Sequence, residues 1–250
     1  MGLIQDAAPW RRDGAAPYRR RMTTFADTSL AGNDTAVRES RRGRIGALAG
    51  AGFSLALFAG VAMLEIPRGA SDTELVRWWS DSGNQHAAVV SMYLFAVAGL
   101  LFLVFLAGLR SHLLRAEQGT GQVTSLVVGA GTVFVAMVLV AGAMRGVIAF
   151  AVISPANGEP LPGPDTLRYV PQLGYAITGT GGLLAAALCI AGTSWLVATT
   201  GAFRRWVAWV GAAAVAVVVG AAALLSAVLA IPALLVWTLA VSAAMWKARA

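Results

Sequence analysis

Long apolar runs, separated by short segments that hold the charges, dominate the chain from about residue 45 onward. A helix needs roughly 20 apolar residues to cross a bilayer, and measured against that length the runs predict six spans. They fall at about 45–65, 87–109, 123–144, 172–197, 206–225 and 229–246. The last two share one stretch, "WVAWVGAAAVAVVVGAAALLSAVLAIPALLVWTLAVSAAMW", which is too long for a single crossing and is expected to fold back between Ser226 and Pro232. The predicted fold class is all-α, a polytopic transmembrane helical bundle.

Composition agrees: 58% of residues are hydrophobic and 12% charged, far from the soluble balance. Outside the spans no stretch is long enough for a sizeable water-soluble core. Residues 1–43 are arginine-rich and poor in aliphatics, so they cannot offset the entropy of ordering and read as a disordered cytoplasmic tail before a membrane domain at 44–250. Met22, inside that tail, is a candidate start. The stretch "SRRGRIGALAG" resembles a twin-arginine export signal, but Arg44 stands where such signals favour an aromatic, and an uncleaved first helix is the simpler reading.

The formal charge of +7 does not point to nucleic acid, because the basic residues sit beside apolar runs, where orientation signals lie. On the side of the tail fall Arg38, Arg41, Arg42, Arg44, Arg110, Arg115, Arg204, Arg205, Lys247 and Arg249. The opposite loops hold Arg68, Arg77, Arg145 and Arg168 among the acids Glu65, Asp72, Glu74, Asp81, Glu159 and Asp165. Cytoplasmic loops carry the basic excess, so both termini are expected in the cytoplasm, with the chain multi-pass in a bacterial inner membrane.

Arg145 interrupts the apolar stretch "VAGAMRGVIAFAVI", and an intramembrane charge is costly. Counting from Val123 at about 1.5 Å per residue places Arg145 near the outer border of the hydrocarbon. There it is expected to snorkel to the headgroups, or to form an ion pair with Glu65, which ends the first span at similar depth. In the first outer loop, "SDTELVRWWSDSG" predicts a short helix capped by Ser71 or Asp72, with Trp78 and Trp79 as interfacial aromatics at headgroup depth. The other, "SPANGEPLPGPDTLRYVPQ", carries five of the nine prolines and reads as a stiff, extended loop.

Small residues recur at packing intervals: Gly46 and Gly50, Gly142 and Gly146, and Gly174, Thr178, Gly182 and Ala186. Such stripes let backbones approach closely, while glycines in "ITGTGGL" are also compatible with a broken helix at a transport site. His86 and His112 lie about 39 Å apart along one helix and cannot meet at one centre within a subunit. Cys189 is the only cysteine, so no intrachain disulfide or paired-cysteine metal site exists. No catalytic residues, cofactor or metal ligands are recognised, and no Asp, Glu or His falls near the middle of any span, which argues against a proton-coupled pump.

The second span running through "FLVFLAGLRSHLLRAEQG", the border "TGAFRRWVAWVG" and the closing "IPALLVWTLAVSAAMWKAR" resemble six-span bacterial, especially actinobacterial, membrane proteins of unknown function, over roughly residues 45–249. The resemblance implies a fold and supplies no reaction or site. The expected function is that of a non-catalytic integral membrane protein acting through helix packing or partner contacts. Its partners would be the lipid bilayer and a second copy in a homo-oligomer or an unidentified membrane protein, with no nucleic acid. The alternative is a small-molecule permease or binding protein with a cavity between the spans.

Overall fold

The computed structural model describes residues 43–63, 66 and 67, 69–154, 158–224 and 227–247. The expected tail, apart from Gly43, lies outside these residues, as does Glu65. The described chain is all-helical. Its elements are α1 (Gly43–Ala62), α2 (Asp72–Ser80), α3 (Ser82–Glu117), α4 (Gln122–Ile153), α5 (Pro164–Ile177), a π-helical turn (Thr178–Gly182), α6 (Leu183–Thr200), α7 (Arg205–Ala223) and α8 (Ala227–Lys247). Six helical stretches are long and apolar enough to cross a membrane: α1, α3, α4, the continuous run from α5 through α6, α7 and α8. This is a multi-pass membrane protein in a lipid environment.

Both α3, with 36 residues, and α4, with 32, are longer than the spans read from hydropathy. At 1.5 Å per residue they measure about 54 and 48 Å against a hydrocarbon core of about 30 Å, so they project beyond the membrane. Polar ends prolong α3, and the apolar "GVIAFAVI" prolongs α4. After the apolar run, α3 continues through "RSHLLRAE", a sequence of mostly good helix formers, and stops where Gln118 turns left-handed. Glu117 then serves the next helix, because its carboxylate accepts the backbone N–H of Val123 and of Thr124, both at 3.0 Å. Those bonds cap α4, whose N-cap residue, Gly121, has no side chain to do so.

Two proline-based expectations are corrected. The fourth crossing starts at Pro164, inside the segment read as an extended loop, and Pro171 lies within α5. Pro164 occupies the first helical turn, where its missing N–H costs nothing. The fold-back between the last two spans occurs between Ala223 and Ala227, earlier than expected, and Pro232 is inside α8. A proline within a spanning helix removes one backbone bond, which neighbouring helices and cavity-lining groups make tolerable.

The spans close into a ring. Successive pairs pack α3 on α4, α4 on α6, α6 on α7 and α7 on α8, and α1 fills the seam between α3 and α8. Gly46 faces Gly108 of α3 and Met245 of α8, while Gly50 faces Phe105 and Ser242. Gly142 and Gly146 of α4 meet α3 so closely that a Cβ on either would lie 2.6 Å from the Cβ of Phe95 or Met92. The small-residue stripes therefore do the packing expected of them, inside one chain.

One end of the ring is basic, bringing together the start of α1, the α3–α4 and α6–α7 connections and the end of α8. Arg44 lies 5.6 Å from the Trp246 ring and His112 5.7 Å from that of Phe203. The opposite end carries a cap. There Ser71 and Glu74 form a capping box at the start of α2, as the sequence predicts, and Asp81 ends α2 while capping α3 through the Asn84 N–H at 3.0 Å. Asn84 and Gln85 also donate their side-chain amides to the carbonyls of Trp78 and Trp79, at 2.9 and 2.7 Å. Arg168 of α5 ties the cap down with bonds from Nη2 to the Asp72 carboxylate, 2.6 Å, and the Ala70 carbonyl, 3.1 Å.

Candidate functional site

Beneath this cap the ring encloses space. A cavity of about 580 Å³ is walled by Leu57 and Val61 of α1, Phe95, Phe134, Val138, Ala141, Leu183 and residues of α8 including Ile231 and Leu234. Its polar lining consists of Arg145, Tyr175 and Thr178. A second cavity, about 590 Å³, lies between the cap and α5 and is lined by Leu75, Arg168, Pro171, Gln172 and Thr180 among others. The two share Ile66, Pro67, Tyr175 and Val228 as a common wall.

Arg145 is the central finding. Only 4% of its surface is exposed, and its guanidinium carbon lies 5.1 Å from the Phe95 ring centroid and 4.9 Å from that of Tyr175. The flanking rings offer their π faces to the cation, an interaction that strengthens when desolvated. The expectation of a snorkelling anchor is thus corrected in direction: the residue lies about 35 Å along α4 from Gln122, near the far hydrocarbon border as the sequence implied, but it points into the ring. Its i−3 and i−4 neighbours, Gly142 and Ala141, are buried too, so the charge belongs to the packed face of the helix. The Glu65 half of the expected ion pair lies outside the described residues.

Trp79 is likewise corrected. It is fully buried and packs with Leu75, Ala88, Ile148, Ala149 and Leu167 in a separate apolar cluster under the cap, with Trp78 half-buried beside it, their ring centroids 5.0 Å apart. It is a structural pin, because α2 folds back over the ends of α3, α4 and α5 instead of lying flat on lipid. The exposed tryptophans are at the basic end: Trp195, Trp206, Trp246 and above all Trp209, 76% exposed. There they match the aromatic belt of a membrane interface.

Each break in helical regularity on this side adjoins the cavities. Pro171 lines the second cavity, and Pro232 lacks the N–H that would bond the carbonyl of Val228, which borders both. The π-helical turn sets Thr178 against the first cavity and Gly179 and Thr180 against the second. Such turns recur at functional sites, where an extra residue re-aims the side chains around it. Gly174 lets α5 approach α4, since a Cβ there would lie 2.9 Å from the Ala141 carbonyl oxygen. The glycines of "ITGTGGL" do not break the helix, which is bulged and continuous from Pro164 to Thr200.

His86 is exposed, with Nδ1 2.6 Å from the Ser82 carbonyl, and it stands at the opposite end of α3 from His112. Cys189 is buried in the main core. Compared with protein-family models, curated proteins and solved structures, the chain matches none.

Proposed function

We propose that this membrane protein binds a small amphipathic molecule in the cavity between its spans, as a binding protein or permease. The observation that carries the reading is the cavity of about 580 Å³, apolar on nearly every wall and provided with one buried guanidinium. Ligand sites have this size and this makeup, a largely apolar surface with a few placed polar groups. A charge kept inside a membrane bundle is costly and marks function by default. Arg145 and Tyr175 carry N–H and O–H donors, Thr178 donates its hydroxyl to the Gly174 carbonyl, and the cavity lining includes no carboxylate or imidazole among its described residues, which favours binding over catalysis.

This reading promotes the alternative over a role in helix packing or partner contacts. The small-residue stripes at Gly46, Gly50, Gly142 and Gly146 pack span against span within the ring. The resemblance to six-span actinobacterial proteins stays part of the proposal, as does a bacterial inner membrane with the basic end in the cytoplasm. Reporter fusions after Gly119 and Gly201 should then report cytoplasm and fusions after Gly83 and Gly158 the exterior; the reverse pattern would overturn that orientation.

Binding is tested with radiolabelled oleyl alcohol, an uncharged chain, on protein in lipid nanodiscs. Val61→Phe puts a ring into the cavity from α1 and is expected to weaken retention by about tenfold, the equivalent of 1.4 kcal/mol. Retention unchanged in this folded variant would refute the cavity as the binding site.

A further inference from the structure

The second cavity also holds a guanidinium. Arg168 lines it, held by Nη2 bonds to Asp72 and Ala70, and its Nε and Nη1 make no hydrogen bond to any described residue. A guanidinium carries five N–H donors in a rigid fork, so anchoring through Nη2 fixes the fork while leaving donors for a ligand. Gln172 and Tyr175 add a side-chain amide and a phenol to the same lining. No Asp or Glu is among the described residues that line it. Gln172, Ala176 and Thr180, exposed and four residues apart on successive turns, place the mouth on the flank of the bundle, where a molecule dissolved in the bilayer can reach it.

We propose that the second cavity receives a carboxylate or phosphate headgroup of a single-chain amphiphile whose chain lies in the first, with Tyr175 at the junction between them. This rests on the first cavity being a binding site. The shared wall of Ile66, Pro67, Tyr175 and Val228 makes the two chambers neighbours, both mostly apolar, with Arg145 in the first and Arg168 in the second. A molecule with one apolar chain and one acceptor-rich end lies across both, its chain along the aliphatic and aromatic walls of the first and its headgroup at the Arg168 fork, near the flank of the bundle. Charge-assisted bonds from a planar fork to a carboxylate or phosphate are the strongest the lining can offer. The ring of Tyr175, stacked on Arg145 from one side, must shift or be skirted when a chain passes, and the adjoining π-helical turn provides the irregular backbone for that movement.

The experiment measures binding of oleate, 1-oleoyl lysophosphatidate, oleyl alcohol and inorganic phosphate to the full chain in nanodiscs, for the wild type, Arg168→Gln and Asp72→Asn. Arg168→Gln is expected to weaken the two anionic amphiphiles by about tenfold, the loss of one charge-assisted hydrogen bond, and to leave oleyl alcohol unchanged. Asp72→Asn, which loosens the cap but keeps the cation, should retain most of the anionic binding. Phosphate alone should bind far more weakly than lysophosphatidate; equal affinity would overturn the role of the chain. Parallel losses for charged and uncharged ligands in both variants would assign Arg168 to holding the cap and overturn the headgroup site, while the cavity reading stands. Absence of oleyl alcohol binding in the wild type would instead remove the cavity reading, and this inference with it.

Discussion

Toward the basic end the middle of the ring is filled by rings. Phe102 lies 4.7 Å from Phe53, 5.4 Å from Phe105 and 5.2 Å from Phe134 by centroid, and Phe105 in turn meets Trp237 at 6.0 Å. Beyond Phe134 the bundle is hollow: the first cavity lies among α1, α3, α4, α5, α6 and α8, with Ala141, Gly174 and Ala230 where bulk would be needed to fill the space. Both halves are apolar, so hydrophobicity does not distinguish them. Side-chain volume does, together with helix regularity: the filled half has unbroken ladders, while the hollow half contains Pro171, Pro232 and the π-helical turn. Without a hydrophobic drive between spans, packing holds a membrane bundle together, so one half supplies cohesion and the other gives it up to keep space.

The sharpest way to break this contrast is to change volume in each half. Phe102→Ala removes a fully enclosed ring and is expected to cost about 3–5 kcal/mol, as such deletions do in close-packed cores. Val61→Phe, an enlargement directed into the first cavity, should cost less than about 1.5 kcal/mol, below most overpacking penalties. Reversible unfolding in mixed micelles measures both. If the enlargement proved as costly as the deletion, the cavity would not be available space.

How legible this was in sequence depends on what each feature requires. The six crossings were readable because a bilayer imposes a length that apolar runs either meet or miss. The end of α3 was not, since "RSHLLRAE" stays helical beyond the apolar run, where hydropathy no longer reports. Prolines misled twice: Pro164 looks like a loop signal yet costs little at the first helical position, and Pro232 lies inside α8 with the loss of one backbone bond. Arg145 was singled out correctly and its depth estimated, but the direction in which it points depends on which faces of α3 and α5 bring Phe95 and Tyr175 beside it. Trp79 shows the same limit, because an amphipathic helix has one pattern whether its apolar face meets lipid or protein.

The hollow half also contains the charge, and an ion-pair test sharpens the contrast. Ile66 and Pro67, the residues after Glu65 in sequence, line the cavity that holds Arg145. Pairing of Glu65 with Arg145 predicts that Glu65→Arg and Arg145→Glu each destabilise, and that the double swap recovers a coupling of about 0.5–3 kcal/mol. Strict additivity would exclude the pair. The same cycle measured as oleate binding would show whether the pair holds the guanidinium ready for ligand or holds the spans together.

The smallest expected effect lies in the cap over the cavities. Glu74 accepts the backbone N–H and the hydroxyl of Ser71, both at 2.9 Å, and these bonds, the backbone one foremost, hold its carboxyl below the usual 4.5. A carboxyl whose folded pKa is depressed binds its proton more readily when unfolded, so its stabilisation is complete above the unfolded value and fades as pH falls through the folded one. The start of α2 should therefore loosen below pH 4.5, with no corresponding change in the aromatic half. Hydrogen exchange of residues 72–80, corrected for the intrinsic pH dependence of exchange, reads this directly. Ser71→Ala should lower protection of α2 at neutral pH by about 1 kcal/mol, the usual worth of an N-cap hydroxyl, and Glu74→Gln should remove the acid-dependent part. If Glu74→Gln lost protection with the same pH profile as the wild type, the acid sensitivity would not belong to Glu74.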